Sequence, residues 1–219
     1  MSAVPTITRI VEQKRRPNRR NVHLDGKFAF GCNVNVVAKF RLREGMRLSD
    51  EQLRAIEQGE VKQECFDAAM RFLQTRLHSR AELCRKLARR EYGQAIIDNV
   101  MEDLTRLGYV NDAQFARTRA LSAAQHKQHG RRRAFVELIK TGVDGVTAGR
   151  AVEDVYDVTH SLAIARKLAQ KQAPRLRRLD PLVARRRLAG MLQRRGFDYD
   201  TIRPVIDEVL GDEPAMPDS

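Results

Sequence analysis

Arginine residues recur in this sequence at a regular spacing. Two arginine triplets, at positions 131–133 and 185–187, stand 54 residues apart, and each is followed at the same distance by another cation. Two earlier arginines fall in the same register. The planar guanidinium group binds phosphate or carboxylate through paired hydrogen bonds. The pattern therefore predicts a repeated cationic surface formed by Arg80, Arg89, Arg131, Arg132, Arg133, Lys140, Arg185, Arg186, Arg187 and Arg194.

An ordinary solvated surface is the alternative interpretation of any run of charges. The segment from Arg166 to Arg195 weighs against it, because it contains eleven basic residues and one acid, whereas a solvated face mixes both signs. The net charge of +13 also favours a polyanionic or acidic partner. No aromatic residue lies between Leu168 and Arg195 to stack on bases, so nucleic acid would be held by its phosphate backbone. An acidic protein surface fits these arginines equally well.

Catalytic and metal-binding signatures are missing from the sequence. His126 and His129 have a spacing that could share a metal ion, but no Cys, Asp or Glu stands within two turns of them, so both are interpreted as polar surface residues. There is no G-x-S-x-G setting for a serine nucleophile and no G-x-x-x-x-G-K-[ST] phosphate loop. The three cysteines form no C-x-x-C pair. We therefore expect a protein that is not an enzyme and uses no cofactor or metal.

Hydropathy gives an expectation about location. No stretch of about 18 apolar residues is present, and the first residues lack the apolar centre of a secretory signal. These features predict a cytoplasmic protein with no membrane partner. The sequence does not give the oligomeric state, for which we take a monomer as the expectation.

These arginines belong to a helical repeat that the apolar residues also follow. When Leu87, Leu138 and Leu192 are placed in register, Glu91, Gly142 and Gly196 coincide four residues later. Further apolar matches follow at Val100, Ala151 and Val205, at Met101, Val152 and Ile206, and at Leu104, Val155 and Val209. Matches at this many spaced positions indicate a repeat protein. We predict a mainly α fold of tandem three-helix repeats in an elongated array, at residues 61–110, 111–158 and 159–211.

The first sixty residues predict a small antiparallel β/α extension at 1–60. Two short strands flank Asp25-Gly26, the dipeptide typical of a tight hairpin, after a basic turn containing Pro17 and Asn18. Asn33 could cap a short helix, and Ser49 with Gln52 predicts a capping box for a second helix ending near Gly59. At the other end, residues 212–219 are predicted to be an acidic tail.

Two segments resemble the RecX family of regulatory proteins. RLHSRAELCRKL and LTRLGYVNDAQFA are similar to the family patterns R-x-R-S-x-x-E-L-x-x-x-L and L-x-x-x-G-Y-[LVI]-x-D-x-x-[FY]-A. The matching residues are Arg76, Ser79, Glu82, Leu83, Leu87, Leu107, Gly108, Tyr109, Asp112, Phe115 and Ala116. The sequence departs from the family at Glu91, where glycine is usual. We expect Ser79 and Glu82 to cap a helix, Gly108 to end one, Asp112 to be the next N-cap, and Tyr109 and Phe115 to pack.

The resemblance implies a non-enzymatic cytoplasmic modulator of the RecA recombinase. Such a protein lies in the groove of the RecA–DNA filament and limits its assembly, ATPase activity or strand exchange. The main rival is a stand-alone, non-sequence-specific nucleic-acid-binding or architectural protein, for which DNA phosphate would be the partner itself. A helical adaptor for another acidic protein is a third alternative.

Overall fold

The N-terminal region forms a three-stranded antiparallel sheet in the computed structural model, which describes residues 4–211. The strands β1 (Ile7–Gln13), β2 (Arg16–Leu24) and β3 (Lys27–Asn33) follow one another in the order β1-β2-β3. Asp25 and Gly26 have φ angles of 48° and 81°, as a tight hairpin turn between twisted strands requires. The predicted hairpin is confirmed. The expected turn at Pro17 and Asn18 is wrong, because both residues lie in β2.

Two helices, α1 (Val34–Lys39) and α2 (Asp50–Thr75), follow the sheet and share its core. Both predicted caps are confirmed. The Asn33 side chain accepts a hydrogen bond from the Asn35 N–H at 3.0 Å. Ser49 and Gln52 exchange the two bonds of a capping box, at 2.9 and 3.2 Å.

The expected helix end near Gly59 is wrong, because α2 continues through this residue for sixteen more positions, to Thr75. A Cβ atom at position 59 would lie 2.7 Å from Cε2 of the Phe40 ring. Glycine is therefore needed there for close packing of the ring on the helix, not for a chain break. The boundary expected between residues 60 and 61 accordingly falls inside one continuous helix.

Eight further helices complete the described chain, and the mainly α fold class is confirmed. They are α3 (Arg80–Ala88), α4 (Gln94–Arg106), α5 (Asp112–Gln125), α6 (Arg131–Thr141), α7 (Gly145–Val155), α8 (Val158–Leu176), α9 (Pro181–Arg194) and α10 (Tyr199–Leu210). Within residues 4–211, no helix combines the length and apolar character needed to cross a membrane. The predicted acidic tail at 212–219 lies outside the described residues.

The chain divides into two compact units. The first runs to Arg76 and resumes over Leu83–Tyr109, and the second comprises Leu77–Glu82 and the chain from Val110 onward. The register leucines Leu87, Leu138 and Leu192 are each fully buried. In the second unit a single hydrophobic cluster joins residues of α5 through α10. The predicted repeat register therefore identifies core positions correctly.

Two equivalent junctions lie in the second unit. The first joins the end of α6 to the start of α3, and the second joins the end of α9 to the start of α6. At the first junction the Ser79 hydroxyl donates to the Thr141 carbonyl at 2.7 Å, and at the second the Gly130 N–H donates to the Arg195 carbonyl at 2.8 Å. A Cβ atom at Gly142 would lie 2.3 Å from Cβ of Ala81. The helices meet too closely there for any side chain at position 142.

The motif residues mostly have the structural roles expected of them. Ser79 accepts from the Glu82 N–H at 3.1 Å, and Gly108 ends α4 with a φ of 77°. Phe115 is buried, but Tyr109 is 48% exposed, so its expected packing role is wrong.

Asp112 is not the N-cap of α5, because Asn111 holds that position and accepts from the Gln114 N–H at 3.0 Å. Asp112 instead accepts from the Arg80 N–H at 2.7 Å, across 32 residues of sequence. It therefore caps the start of α3 from a distance.

Candidate partner-binding surface

The second unit contains nine of the ten predicted binding residues. Arg89 is the exception, and it is exposed just after α3 ends in the first unit. Arg80 is the first residue of α3 and is partly buried, and its N–H group is the one that Asp112 binds. The other eight residues lie on α6 and α9, the middle helices of two repeats.

Arg185 is committed to internal contacts. Its guanidinium group pairs with the Asp207 carboxylate and donates a second bond to the Gly211 carbonyl, both at the far end of α10. Only 15% of its side chain is exposed. Its charge is thus largely compensated, and we assign Arg185 mainly to holding α10 against α9.

Arg131 and Arg133 make weaker contacts near the start of α6. Arg131 lies 3.2 Å from Glu153, but both side chains are about half exposed or more, and such surface pairs contribute little to stability. Arg133 donates to the Arg194 carbonyl at 3.2 Å and lies 3.6 Å from Glu137. Both guanidinium groups therefore remain accessible to a partner, although part of their charge is shared.

Five predicted residues are exposed and have no ion pair with any other residue in the range 4–211. They are Arg132, Lys140, Arg186, Arg187 and Arg194. Arg187 and Arg194 are two helical turns apart, so they share one face of α9, and Arg186 points about 100° away from Arg187. The cations of α9 thus serve two different faces.

A cavity of about 570 Å³ lies on one of these faces. It brings together Arg132 from α6 and Arg185 and Arg186 from α9. Two residues that the sequence analysis did not select, Tyr199 and Arg203 of α10, also line it. Arg203 was overlooked because it is the single base among the acids after Gly196. Its spacing from Tyr199, one helical turn, was the available signal.

Glu137, in the middle of α6, lies at the centre of a small polar cluster with Lys127 and His129, which precede the helix. Lys127 Nζ lies 3.0 Å from its carboxylate, and His129 Nδ1 lies 3.1 Å away, although without hydrogen-bond geometry. Burial opposes ionisation of Glu137, but the hydrogen bond from Lys127 and the nearby charges lower its pKa overall. Burial also lowers the pKa of His129, and Glu137 offsets only part of that shift. His129 is buried, so its expected surface position is wrong.

Family models match three regions of the chain. The model described as the regulatory protein RecX N-terminal domain matches residues 5–49. The first three-helix domain of RecX matches residues 65–104, and the third matches residues 160–206.

Curated relatives match the chain over most of its length. Regulatory protein RecX of Bacillus subtilis (strain 168) is 29% identical over 206 residues, which cover 94% of this chain and 78% of the relative. Regulatory protein RecX of Chlorobium phaeobacteroides (strain BS1) is 33% identical over 145 residues, which cover 66% of this chain and 93% of the relative. The chain belongs to the RecX family. A crystal structure of regulatory protein RecX has the same fold, with a TM-score of 0.83 at 21% identity over 93% of this chain and 99% of that one.

Proposed function

We propose that this RecX family protein is a non-catalytic regulator of the RecA recombinase. In this proposal it acts in the cytoplasm as a monomer, lies in the groove of the RecA–DNA filament, and limits filament assembly, ATPase activity and strand exchange. Membership of a family of regulatory proteins is the observation that carries the proposal.

The uncompensated arginines support this function physically. Arg186, Arg187 and Arg194 are exposed on α9 and could bind carboxylates of the filament protein or phosphates of its DNA. Regulation requires that the chain bind one filament state more tightly than another, because equal affinity for all states would shift no population.

Co-sedimentation with RecA filaments assembled on single-stranded DNA tests the proposal. We expect the wild-type chain to be retained on filaments much more strongly than on the same DNA alone, and to slow filament assembly at concentrations that give retention. Tight binding to naked DNA with a steep salt dependence, and no gain from RecA, would instead establish the rival nucleic-acid-binding function.

A matched pair of variants locates the surface. The double variant Arg187→Gln/Arg194→Gln removes two charges from the face of α9 that these two residues share. The control variant Arg117→Gln/Arg150→Gln removes two exposed charges from α5 and α7, so the net charge is the same. We expect only the first variant to lose retention. Equal losses would show that binding depends on net charge rather than on this face.

A further inference from the structure

The cavity on α9 and α10 combines positive charge with an apolar interior. Four arginines line it, namely Arg132, Arg185, Arg186 and Arg203, and none of the carboxylates within residues 4–211 does. Asp207 compensates Arg185 from outside the lining. Three positive charges therefore face the cavity without a counter-charge among the described residues that line it, and they favour an acidic occupant.

The remaining lining residues are mostly apolar. Phe197, Ile202 and Ile206 are buried where they line the cavity, and Ala189, which also lines it, is partly buried. At the rim, Leu182 and Tyr199 are 54% and 68% exposed. A large apolar side chain bound here would bury this surface together with its own.

The face of α6 that carries Arg132 also exposes apolar side chains. Val136 and Ile139 are 47% and 41% exposed, and they follow Arg132 at the spacing that places all three on one helix face. Contacts with a phosphate backbone gain nothing from exposed aliphatic side chains. Protein interfaces, in contrast, are built around buried apolar and aromatic anchors with arginine beside them. The composition thus favours a protein partner over nucleic acid.

We propose that this cavity receives a bulky apolar side chain from an acidic protein segment, whose flanking carboxylates bind Arg132, Arg186 and Arg203. The inference rests on the proposed function in one respect: the segment belongs to the protein of the filament rather than to its DNA. The arginines supply attraction and orientation, and the apolar interior supplies the anchor.

Filling the cavity without changing its charge tests the inference. Ala189→Leu adds bulk inside the cavity and keeps every arginine. The control variant Ala113→Leu makes the same change at an exposed position of α5. We expect Ala189→Leu to weaken binding to RecA filaments at least about tenfold. Its affinity for naked single-stranded DNA should stay within about twofold of the wild-type value. Its melting temperature should equal that of Ala113→Leu.

A second variant probes the same cavity at an exposed position, so that misfolding of Ala189→Leu alone does not decide the result. Tyr199→Ala removes an exposed ring at the rim and should also weaken filament binding while naked-DNA affinity is unchanged. Filament binding at wild-type strength by both Ala189→Leu and Tyr199→Ala would overturn the inference. A parallel loss of naked-DNA affinity would also overturn it, since the cavity would then be a nucleic-acid site. If the wild-type chain itself is not retained on filaments, the proposed function fails and the inference fails with it.

Discussion

Glu91 is a strained residue that a single substitution should relieve. Its φ angle is 66°, in the left-handed region, and its register equivalents Gly142 and Gly196 have φ angles of 88° and 90°. A residue with a Cβ atom pays about 1–2 kcal/mol for this conformation. Glycine removes that cost but gives up about 0.4–1 kcal/mol through the greater freedom of the unfolded chain. Glu91→Gly should therefore raise the free energy of unfolding by roughly 0.5–1 kcal/mol.

Three control variants separate backbone strain from other effects. Glu91→Ala removes a negative charge near the C-terminal end of α3, which contributes a few tenths of a kcal/mol at most, but it keeps Cβ and the strain. Gly108→Ala introduces the same strain at a φ of 77°, where no described residue other than the two chain neighbours comes within 4 Å of the added Cβ, and should cost about 1 kcal/mol. Gly142→Ala should cost more, because its Cβ would also collide with Ala81.

Urea and thermal unfolding of the full chain, followed by circular dichroism, measure these differences. For a chain of this size about 1 kcal/mol shifts the melting temperature by about 2–4 °C, so Glu91→Gly should melt roughly 1–4 °C higher than wild type. The reasoning is refuted if Glu91→Gly is no more stable than Glu91→Ala, because the gain would then come from charge removal alone.

Two further predictions concern charged groups of the second unit. Arg185→Gln leaves Asp207 partly buried without its partner and should lower the free energy of unfolding by about 1–3 kcal/mol, whereas Arg186→Gln should change it by less than about 0.5 kcal/mol; urea denaturation of both variants checks this. The lowered pKa of buried His129 means that the unfolded chain binds its proton more readily, so stability falls as pH drops below the ordinary value of 6.5. Between pH 7 and pH 5, the melting temperature of His129→Gln should fall by less than that of the wild type. Both pH values lie above the ordinary Glu137 pKa of 4.5.

Local signals in the sequence predicted most of the secondary structure. The capping box at Ser49 and Gln52 and the hairpin at Asp25 and Gly26 depend on bonds and dihedral angles within four residues, so neighbouring residues suffice to identify them. The repeat register also identified core positions such as Leu138, because a helix must bury one face at a fixed period.

Positions that depend on distant packing were predicted wrongly. Gly59 resembles a helix end in the sequence, yet it lies within α2. Glycine is needed there because the Phe40 ring occupies the space that a side chain would fill. Asp112 resembles an N-cap, yet its carboxylate binds the N–H of Arg80 in another helix. In both cases the decisive contact joins residues that are far apart along the chain, and no local pattern reports it.

The cationic surface shows the same limit at the level of function. Arg185 and Arg186 are adjacent and chemically identical, so sequence reasoning assigns them the same role. Their directions on α9 differ by about 100°, and the placement of α10 determines what each one meets. Both line the cavity to which α10 contributes Arg203 and Tyr199, but Arg185 pairs with Asp207, whereas Arg186 has no ion pair with any residue in the range 4–211. The charge available to a partner is therefore set by which carboxylates the next helix brings close, and it differs from the count of arginines in either triplet.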